Sequence, residues 1–354
     1  MKKTYLLLCV LFVASVSLVV ALYQISFRIN HADNGFIRLF PPHPVLPENV
    51  LDLPSNAYYV AGTTPTRLYL GNMIRPLELL TTPISLRDTQ RVAITVENLK
   101  AIQFQRIQLK IDSPHFYILD GIRPAILKGI VNTWRAQRYM PDSAYFTEAI
   151  PLSPTSVAIR IFSRLTHTYV LGKETIQPPY LQLEPGILTK QVDGLFCMDG
   201  MLHYNRETNQ LVYLYYYRNQ FICMDSSLNV LYRGKTIDTI SHAQIKVAAL
   251  RSESSITLAA PPLTVNNRSC VSGNHLFVHS NLLASNERRE TFEQASVIDV
   301  YDLRDGAYRF SFYLFNPEKQ KLHDITVTGD RLIAMFGKHL YTYKLAGKYF
   351  SPSK

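Results

Sequence analysis

Cysteine is scarce in this sequence, and its spacing excludes the sites that cysteine most often builds. Of the four cysteines among 354 residues, Cys9 lies in an apolar N-terminal run, and the others are Cys197, Cys223 and Cys270. None belongs to a C-x-x-C pair or to a Cys/His cluster with zinc spacing, so we expect no zinc site. Each of the last three lies in an apolar, strand-like run, which favours a small buried hydrophobic residue. A disulfide between Cys197 and either Cys223 or Cys270 is the alternative. Because these cysteines number three, at least one thiol would stay free in an oxidising compartment.

The sequence also lacks the short motifs that identify common catalytic sites. It contains no G-x-S-x-G, H-E-x-x-H, P-loop or G-x-G-x-x-G pattern. Its ten histidines are scattered, and His275 and His279, four apart on one predicted strand, are too distant to share a metal. The best calcium candidate, Asp299 to Gly306, lacks EF-hand spacing and is better interpreted as a strand followed by a hairpin turn. We therefore predict no metal, no cofactor and no catalytic residue.

Charge is sparse as well, at 18% of residues, but it is not balanced, because the formal net charge is +10. No dense Lys/Arg stripe with interleaved aromatic residues occurs, so nucleic acid is not an expected partner. The positive excess instead favours anionic lipid headgroups or acidic partners.

One long uncharged run stands at the N-terminus, over residues 4–22 (TYLLLCVLFVASVSLVVAL). About 20 apolar residues suffice for a helix to cross a bilayer. Lys2 and Lys3 precede the run, so the positive-inside rule keeps the N-terminus in the cytoplasm and exports the remainder. The alternative is a cleaved signal peptide, but the run is long for one, and Val20-Ala21-Leu22 offers no small-x-small cleavage site. We predict an uncleaved membrane anchor over residues 1–28.

After the anchor, the sequence changes to proline-rich and then to short alternating strands. Residues 29–56 contain many prolines and no helical period, which predicts an extended linker that docks onto the following domain. Beyond it, the segments 68–76 (LYLGNMIRP) and 116–124 (FYILDGIRP) align without gaps. Looser copies of this unit occur at 156–170, 211–223, 269–315 and 331–345.

Six repeated units of three or four strands are typical of a β-propeller, because a closed ring of blades buries both faces of every sheet. We predict an all-β fold, a six-bladed β-propeller over residues 57–348, followed by a tail over 349–354. A pair of β-sandwiches is the alternative, but sandwiches lack such self-similarity. The last unit shows only three strands, so residues 49–53 (NVLDL) are expected to supply its fourth and close the ring.

Three runs of this sequence resemble uncharacterised membrane-anchored, propeller-like proteins of bacteria. They are 194–241 (GLFCMDGMLHYNRETNQLVYLYYYRNQFICMDSSLNVLYRGKTIDTIS), 267–283 (NRSCVSGNHLFVHSNLL) and 294–306 (QASVIDVYDLRDG). The likeness extends over most of the chain after the anchor. It implies a six-bladed, TolB-like propeller in the periplasm, held by a single pass at the bacterial inner membrane. It implies no activity and no site residues.

A basic residue recurs at the turn after the second strand of five units. These candidate ligand-binding residues are Arg75, Arg123, Arg164, Arg218 and Lys338. In a propeller these turns open on one face, which would then carry a ring of positive charge suited to carboxylate or phosphate. The alternative explanation is that exposed hairpin turns are commonly charged.

A tyrosine cluster marks the fourth unit. Alternation places Tyr213, Tyr215 and Tyr217 on one side of a strand and Tyr216 on the other. Packing between blades uses large flat side chains, so we expect these residues in the core. A stacking platform for a sugar or an aromatic ligand is the alternative.

These features favour a non-enzymatic, membrane-anchored binding or scaffold propeller that recognises a protein or an anionic envelope ligand. The alternatives are a hydrolase or lyase with a central pocket, near Asp193, Asp199 and His203, and a purely structural part of a larger membrane complex. The central channel discriminates between them: several convergent polar groups favour an enzyme, whereas an apolar plug with charge on the rim favours binding.

Overall fold

The computed structural model describes residues 2–30, 35–98, 102, 104–140, 144–249 and 256–350. Its N-terminal element is a helix, α1 (Lys2–Asn30), with an apolar stretch over Thr4–Gln24. This stretch has a mean hydropathy of 2.8, and none of it is buried in the protein. The helix therefore has the length and composition to cross a membrane, which an N-terminal signal sequence has too. The first two residues of the predicted linker, 29 and 30, belong to α1, and the next four, 31–34, lie outside the described residues.

The remainder is all-β and forms a six-bladed propeller in which each blade is an antiparallel sheet. The strands of the first blade, from the centre outward, are β2 (Tyr58–Thr63), β3 (Arg67–Asn72), β4 (Glu78–Pro83) and β5 (Gln90–Ala93). Those of the second blade are β7 (Gln108–Asp112), β8 (His115–Asp120), β9 (Ala125–Ile130) and β10 (Arg135–Arg138), with the short parallel β6 (Thr95–Val96) at the edge. Those of the third blade are β11 (Glu148–Ser153), β12 (Ser156–Ser163), β13 (Thr168–Thr175) and β14 (Leu181–Glu184).

The next three blades repeat this order, with longer connections. The strands of the fourth blade are β15 (Gly200–Asn205), β16 (Gln210–Tyr215), β17 (Gln220–Asp225) and β18 (Val230–Lys235). A hairpin of β19 (Val247–Ala249) and β20 (Ile256–Leu258) then precedes the fifth blade. That blade comprises β21 (Asn266–Ser272), β22 (His275–Ser280), β23 (Ala295–Asp302) and β24 (Tyr308–Phe315). The sixth comprises β25 (Leu322–Thr328), β26 (Arg331–Phe336), β27 (His339–Leu345) and, at its outer edge, β1 (Val45–Asp52).

The N-terminal strand β1 closes the ring, as expected from the sequence. It pairs antiparallel with β27, from Val45 opposite Leu345 to Asp52 opposite His339, with one irregularity after Pro47. The pairing continues where the N–H of Leu53 donates to the carbonyl of Lys338, at 2.8 Å. The innermost strand of each blade contacts those of its two neighbours, so the ring has no gap.

Apolar clusters fill the spaces between neighbouring blades, because alternate side chains of each strand point to opposite sides of a sheet. In β16, Tyr213 and Tyr215 face the third blade, while Val212 and Leu214 face the fifth. All four are fully buried. Burying one such aliphatic side chain stabilises the fold by about 1.5 to 3 kcal/mol. Tyr213 and Tyr215 are therefore core, as predicted, and Tyr217 packs at the edge of the same cluster. Tyr216, also expected in the core, is partly buried and lines the central channel.

The cysteines and the C-terminal segment also belong to the packed structure. Cys197, Cys223 and Cys270 are buried and free, so neither disulfide is formed. A short helix, α2 (Arg289–Gln294), lies in the long turn of the fifth blade, and another, α3 (Gly347–Phe350), follows β27. The ring of Phe350 lies 5.8 Å from that of Phe277, so packing extends two residues into the predicted tail. Other short helical turns are Phe196–Met198 and Pro317–Lys319.

Candidate functional site

The five predicted basic residues lie at one end of the ring, at the turns between the second and third strands. Because consecutive strands are antiparallel, these turns and the connections between blades lie at the same end, which we call the upper face. The lower face carries the turns between first and second strands and between third and fourth strands. The structure therefore brings together on one face the residues Arg75, Arg123, Arg164, Arg218 and Lys338.

Four of these residues are exposed, and the fifth is not. Arg123, Arg164 and Lys338 are exposed, and Arg75, 63% exposed at its side chain, pairs with Glu78 at 3.3 Å. The positive ring on the upper face therefore has four members.

Arg218 is fully buried, contrary to the exposed position expected from its turn. Its guanidinium donates to the carbonyl of Thr189 at 2.9 Å and lies 3.6 Å from the ring centroid of Tyr215. Arg218 thus stabilises the connection that leads into the fourth blade, and it is not accessible to a ligand.

The matching positions of Arg75 and Arg123 follow from one local arrangement. In the first blade, Oδ1 of Asn72 accepts a hydrogen bond from the N–H of Arg75 at 3.0 Å. In the second, Oδ1 of Asp120 accepts one from the N–H of Arg123, also at 3.0 Å. Burial alone would raise the pKa of Asp120, but four backbone N–H donors outweigh it and lower this pKa. An Asn or Asp three residues before the arginine thus fixes each turn.

The innermost strands surround a central channel of ≈ 1610 Å³. It is larger than the ~300 to 1,000 Å³ of common small-molecule sites. Acidic, basic and histidine side chains on the innermost strands line it in five of the six blades: Lys110, Glu148, His203, Arg268, His323 and Asp324. Several polar groups therefore converge in the channel, which is the arrangement that the sequence analysis associated with an enzyme. The chemistry of each group decides what the channel can do.

Glu148 belongs to a buried ionic network at the wall of the third blade. Arg160 contacts Asp199 at 2.7 Å and Glu148 at 3.9 Å, and it donates to the hydroxyl of Tyr213 at 2.9 Å. Burial raises the pKa of Glu148, although the Arg160 cation opposes this. Oε2 of Glu148 has no hydrogen-bond partner among the described residues.

Lys110 lies among the other channel groups, on the innermost strand of the second blade. Its charge acts on Glu148, His203 and Asp324. Its ammonium group makes no hydrogen bond or ion pair within the described part of the chain. Burial raises the pKa of Asp324, whose Oδ2 accepts from the N–H of Val60 at 2.7 Å. Lys110 is therefore available to bind an anionic group.

His203 and Ser269 form the pair that most resembles a nucleophile with its base. Nε2 of His203 lies 2.7 Å from the hydroxyl of Ser269. Burial, reinforced by the Lys110 cation, lowers the pKa of His203 to about 3. So weak a base does not activate a hydroxyl at neutral pH. The neighbouring Cys270 is also unreactive, because burial raises the pKa of its thiol.

The two aspartates predicted near a central pocket both have structural roles. Asp193 lies outside the channel and accepts hydrogen bonds from the backbone N–H groups of Leu195 at 2.7 Å and Cys197 at 3.2 Å. Asp199 is the partner of Arg160. Asp299, from the calcium candidate, pairs with Arg38 of the linker, and the following residues form the predicted hairpin between β23 and β24.

Lys110, Glu148, Arg268 and Asp324 are not among the site residues predicted from the sequence. A signal for them exists in the repeat. Glu148, Arg268 and Asp324 each precede by five positions the Ser or Gly of the first turn of their blade, and Lys110 precedes its Ser by three. Odd separations place all four on the same side of the innermost strands.

Comparison with known proteins supports the fold. No family model and no curated protein sequence matches the chain. The structure is similar to that of a DUF4221 family member from Bacteroides vulgatus, with a TM-score of 0.52 and 11% identity over 85% of this chain and 97% of that one. At that identity, the likeness shows a shared fold.

Two further solved structures are more distantly similar. TolB from Acinetobacter baumannii has a TM-score of 0.40 and 11% identity, over 82% of this chain and 65% of that one. Virginiamycin B lyase from Staphylococcus aureus, crystallised with quinupristin, has a TM-score of 0.46 and 10% identity, over 84% of this chain and 99% of that one. Likenesses this loose bear on neither activity nor ligand.

Proposed function

We propose that this protein is a membrane-anchored, non-enzymatic binding propeller that takes an anionic envelope ligand, or an acidic segment of a partner protein, into its central channel. The observation that carries the proposal is a set of polar ends in the channel without hydrogen-bond partners. Within the described residues, Lys110 has neither a hydrogen bond nor an ion pair, and Oε2 of Glu148 and Nε2 of His323 are buried without a hydrogen-bond partner. Buried polar groups are normally satisfied, so a bound molecule is a natural partner for them.

The proposed location is the periplasmic side of a bacterial inner membrane. It rests on the apolar stretch of α1, which is long enough to span a bilayer, and on Lys2 and Lys3 before it. The sequence resemblance to bacterial anchored proteins favours the same location. The four exposed basic turns surround the upper end of the ring and would attract anions towards the channel.

Thermal unfolding of the detergent-solubilised full chain tests the binding role. The probes are glycerol phosphate, a muramyl peptide with free carboxylates, and an acidic hexapeptide. A probe present at 100 times its Kd stabilises the folded state by about 2.7 kcal/mol, so we expect one of them to raise Tm by about 5 °C.

Lys110→Met should abolish that rise, because the ammonium group is the proposed anion contact. Lys173→Met, on the third strand of its blade and outside the channel, is the matched control and should keep it. The proposal fails if no probe raises Tm, or if the rise persists in Lys110→Met.

A second candidate is a hydrolase or lyase that uses the same channel. It is favoured by the raised pKa values of Glu148 and Asp324, since protonated carboxyl groups in a cleft can act as general acids. Mass spectrometry of the same probes after incubation distinguishes the two functions. A product formed by the native protein and not by Glu148→Gln would favour the enzyme.

A further inference from the structure

The chain reaches the ring at its upper face. Phe36 is buried, and its carbonyl accepts a hydrogen bond from the N–H of Ser285 at 2.9 Å. Ser285 lies in the long turn between β22 and β23, which belongs to the upper face. Six peptide units connect Asn30, the last residue of α1, to Phe36, and a fully extended chain of that length spans about 20 Å. The end of the anchor helix is therefore close to this face.

The tips of the upper turns combine exposed apolar side chains with cations. Ile74, beside Arg75, is 75% exposed, and Leu165, beside Arg164, is 95% exposed. The same pattern recurs at Ile122, beside Arg123. Large apolar side chains at turn tips are unfavourable in water, and clustered exposure of this kind marks an interaction surface. Other large exposed apolar residues of the upper face are Ile37, Met73, Tyr145, Val192 and Phe315.

The lower face differs in degree of apolar exposure. Its turns and adjoining strand ends expose Ile130, Ile176, Tyr180, Leu181 and Val230, none by more than 55%. Some cations there are paired, Arg206 with Asp112 and Arg309 with Asp305 at 2.6 Å, whereas Arg87 and Arg135 form no ion pair within the described residues.

On the upper face, Arg123, Arg164 and Lys338 likewise form no ion pair within the described residues. Acids lie there too, since Asp52 and Glu318 contact His339 at 2.6 and 3.4 Å. What distinguishes the upper face is the recurrence, in three blades, of a turn tip that places a large exposed apolar side chain directly beside a cation.

We propose that the upper face docks onto the anionic phospholipid surface of the same bilayer that α1 crosses. The apolar tips Ile74, Ile122 and Leu165 enter the headgroup region, while Arg75, Arg123 and Arg164 contact lipid phosphates. This inference rests on the anchoring part of the proposed function. Tethering makes docking effectively intramolecular, so weak contacts suffice to hold the ring against the membrane.

Site-specific fluorescence on the full chain in vesicles tests this docking. In a Cys9→Ala background, the other cysteines are buried, so a single introduced cysteine takes the environment-sensitive label. Leu165→Cys and Ile74→Cys report the upper face. Tyr180→Cys, an exposed apolar position on the lower face of the same blade as Leu165, is the matched control. The vesicles contain phosphatidylcholine with or without phosphatidylglycerol, and a lipid with a doxyl quencher near the headgroup.

With phosphatidylglycerol, we expect blue-shifted emission and at least about threefold more quenching at Leu165 and Ile74 than at Tyr180. Quenching should fall in about 1 M salt, where the Debye length is about 3 Å, and in the triple variant Arg123→Glu, Arg164→Glu, Lys338→Glu. Three results would overturn the proposal. The first is equal quenching at both faces, and the second is a label shielded without quenching, as a protein partner would cause. The third is quenching in pure phosphatidylcholine equal to that with phosphatidylglycerol. Resistance to alkaline extraction, measured on the same vesicles, reports whether α1 is inserted. Loss of anchoring would also defeat the proposed function, and this measurement separates it from loss of docking alone.

Discussion

Replacing Arg38 by methionine is expected to destabilise the propeller strongly, because this linker residue neutralises two acids inside the fifth blade. Its side chain is fully buried. Nε lies 2.7 Å from Oδ1 of Asp299, Nη2 lies 3.1 Å from Oδ2, and Nη1 contacts Glu287 and the carbonyl of Leu282. Burial alone would lower the pKa of Arg38, but the two carboxylates raise it, so the guanidinium remains charged.

The magnitude follows from what the substitution leaves behind. Methionine occupies similar volume but leaves Asp299 and Glu287 as buried, unpaired acids. Removing one partner of a buried ion pair costs about 3 to 5 kcal/mol. For a domain of this size, that corresponds to a fall in Tm of about 6 to 10 °C.

The assay is denaturant unfolding of the full chain in detergent, with Arg75→Met as the control. Arg75 pairs with Glu78 on the surface, so its loss should cost less than about 1 kcal/mol. A double-mutant cycle with Asp299→Asn isolates the pair, and we expect a coupling of about 1 to 3 kcal/mol. Equal effects of Arg38→Met and Arg75→Met, or strict additivity with Asp299→Asn, would refute the reasoning.

Three further predictions concern the core, the response to pH and the thiols. Leu53→Ala, just after the closing strand and 3% exposed, should cost about 2 to 5 kcal/mol in denaturant unfolding, and a smaller loss would mean that the closure contributes little. Burial, reinforced by Arg268, Lys321 and Arg38, lowers the pKa of His279 to about 3. The unfolded state therefore binds more protons below about pH 6.5, and His279 alone should lower the unfolding free energy by about 1 to 2 kcal/mol between pH 7 and pH 5, measured as the difference between the native protein and His279→Gln. In Cys9→Ala, no thiol should react with a maleimide in the native state and three should react in urea; early reaction would contradict the buried positions of Cys197, Cys223 and Cys270.

The ring could be predicted from the sequence because its repeat is carried by local turns. The Arg-Pro dipeptides at Arg75 and Arg123 follow Asn72 and Asp120, whose side chains bind the turn backbone, so the repeat reports local geometry directly. The closing strand could be predicted because one unit lacked a strand.

The burial of Arg218 could not be predicted from the repeat. The carbonyl of Thr189 and the ring of Tyr215 surround it, and Thr189 belongs to the connection between β14 and β15, outside the repeated units. Arg38 is likewise an isolated cation in a proline-rich segment, and its partners lie more than 240 positions away. Prediction of the channel residues would have required an alignment of the innermost strands, whose sequence repeat is weaker than that of the turns.

The pairing of β1 with β27 also affects how this chain is made. Val45 emerges early during synthesis and Leu345 some 300 positions later, so the contact that completes the sixth blade is among the most non-local in the molecule. Such contacts carry a large loop-closure entropy and slow the folding of β-rich domains. Until synthesis delivers the final strands, β1 is an unpaired edge open to proteases and to other chains. Completion of this ring therefore depends on synthesis of the whole domain, and C-terminally truncated chains should be degraded first.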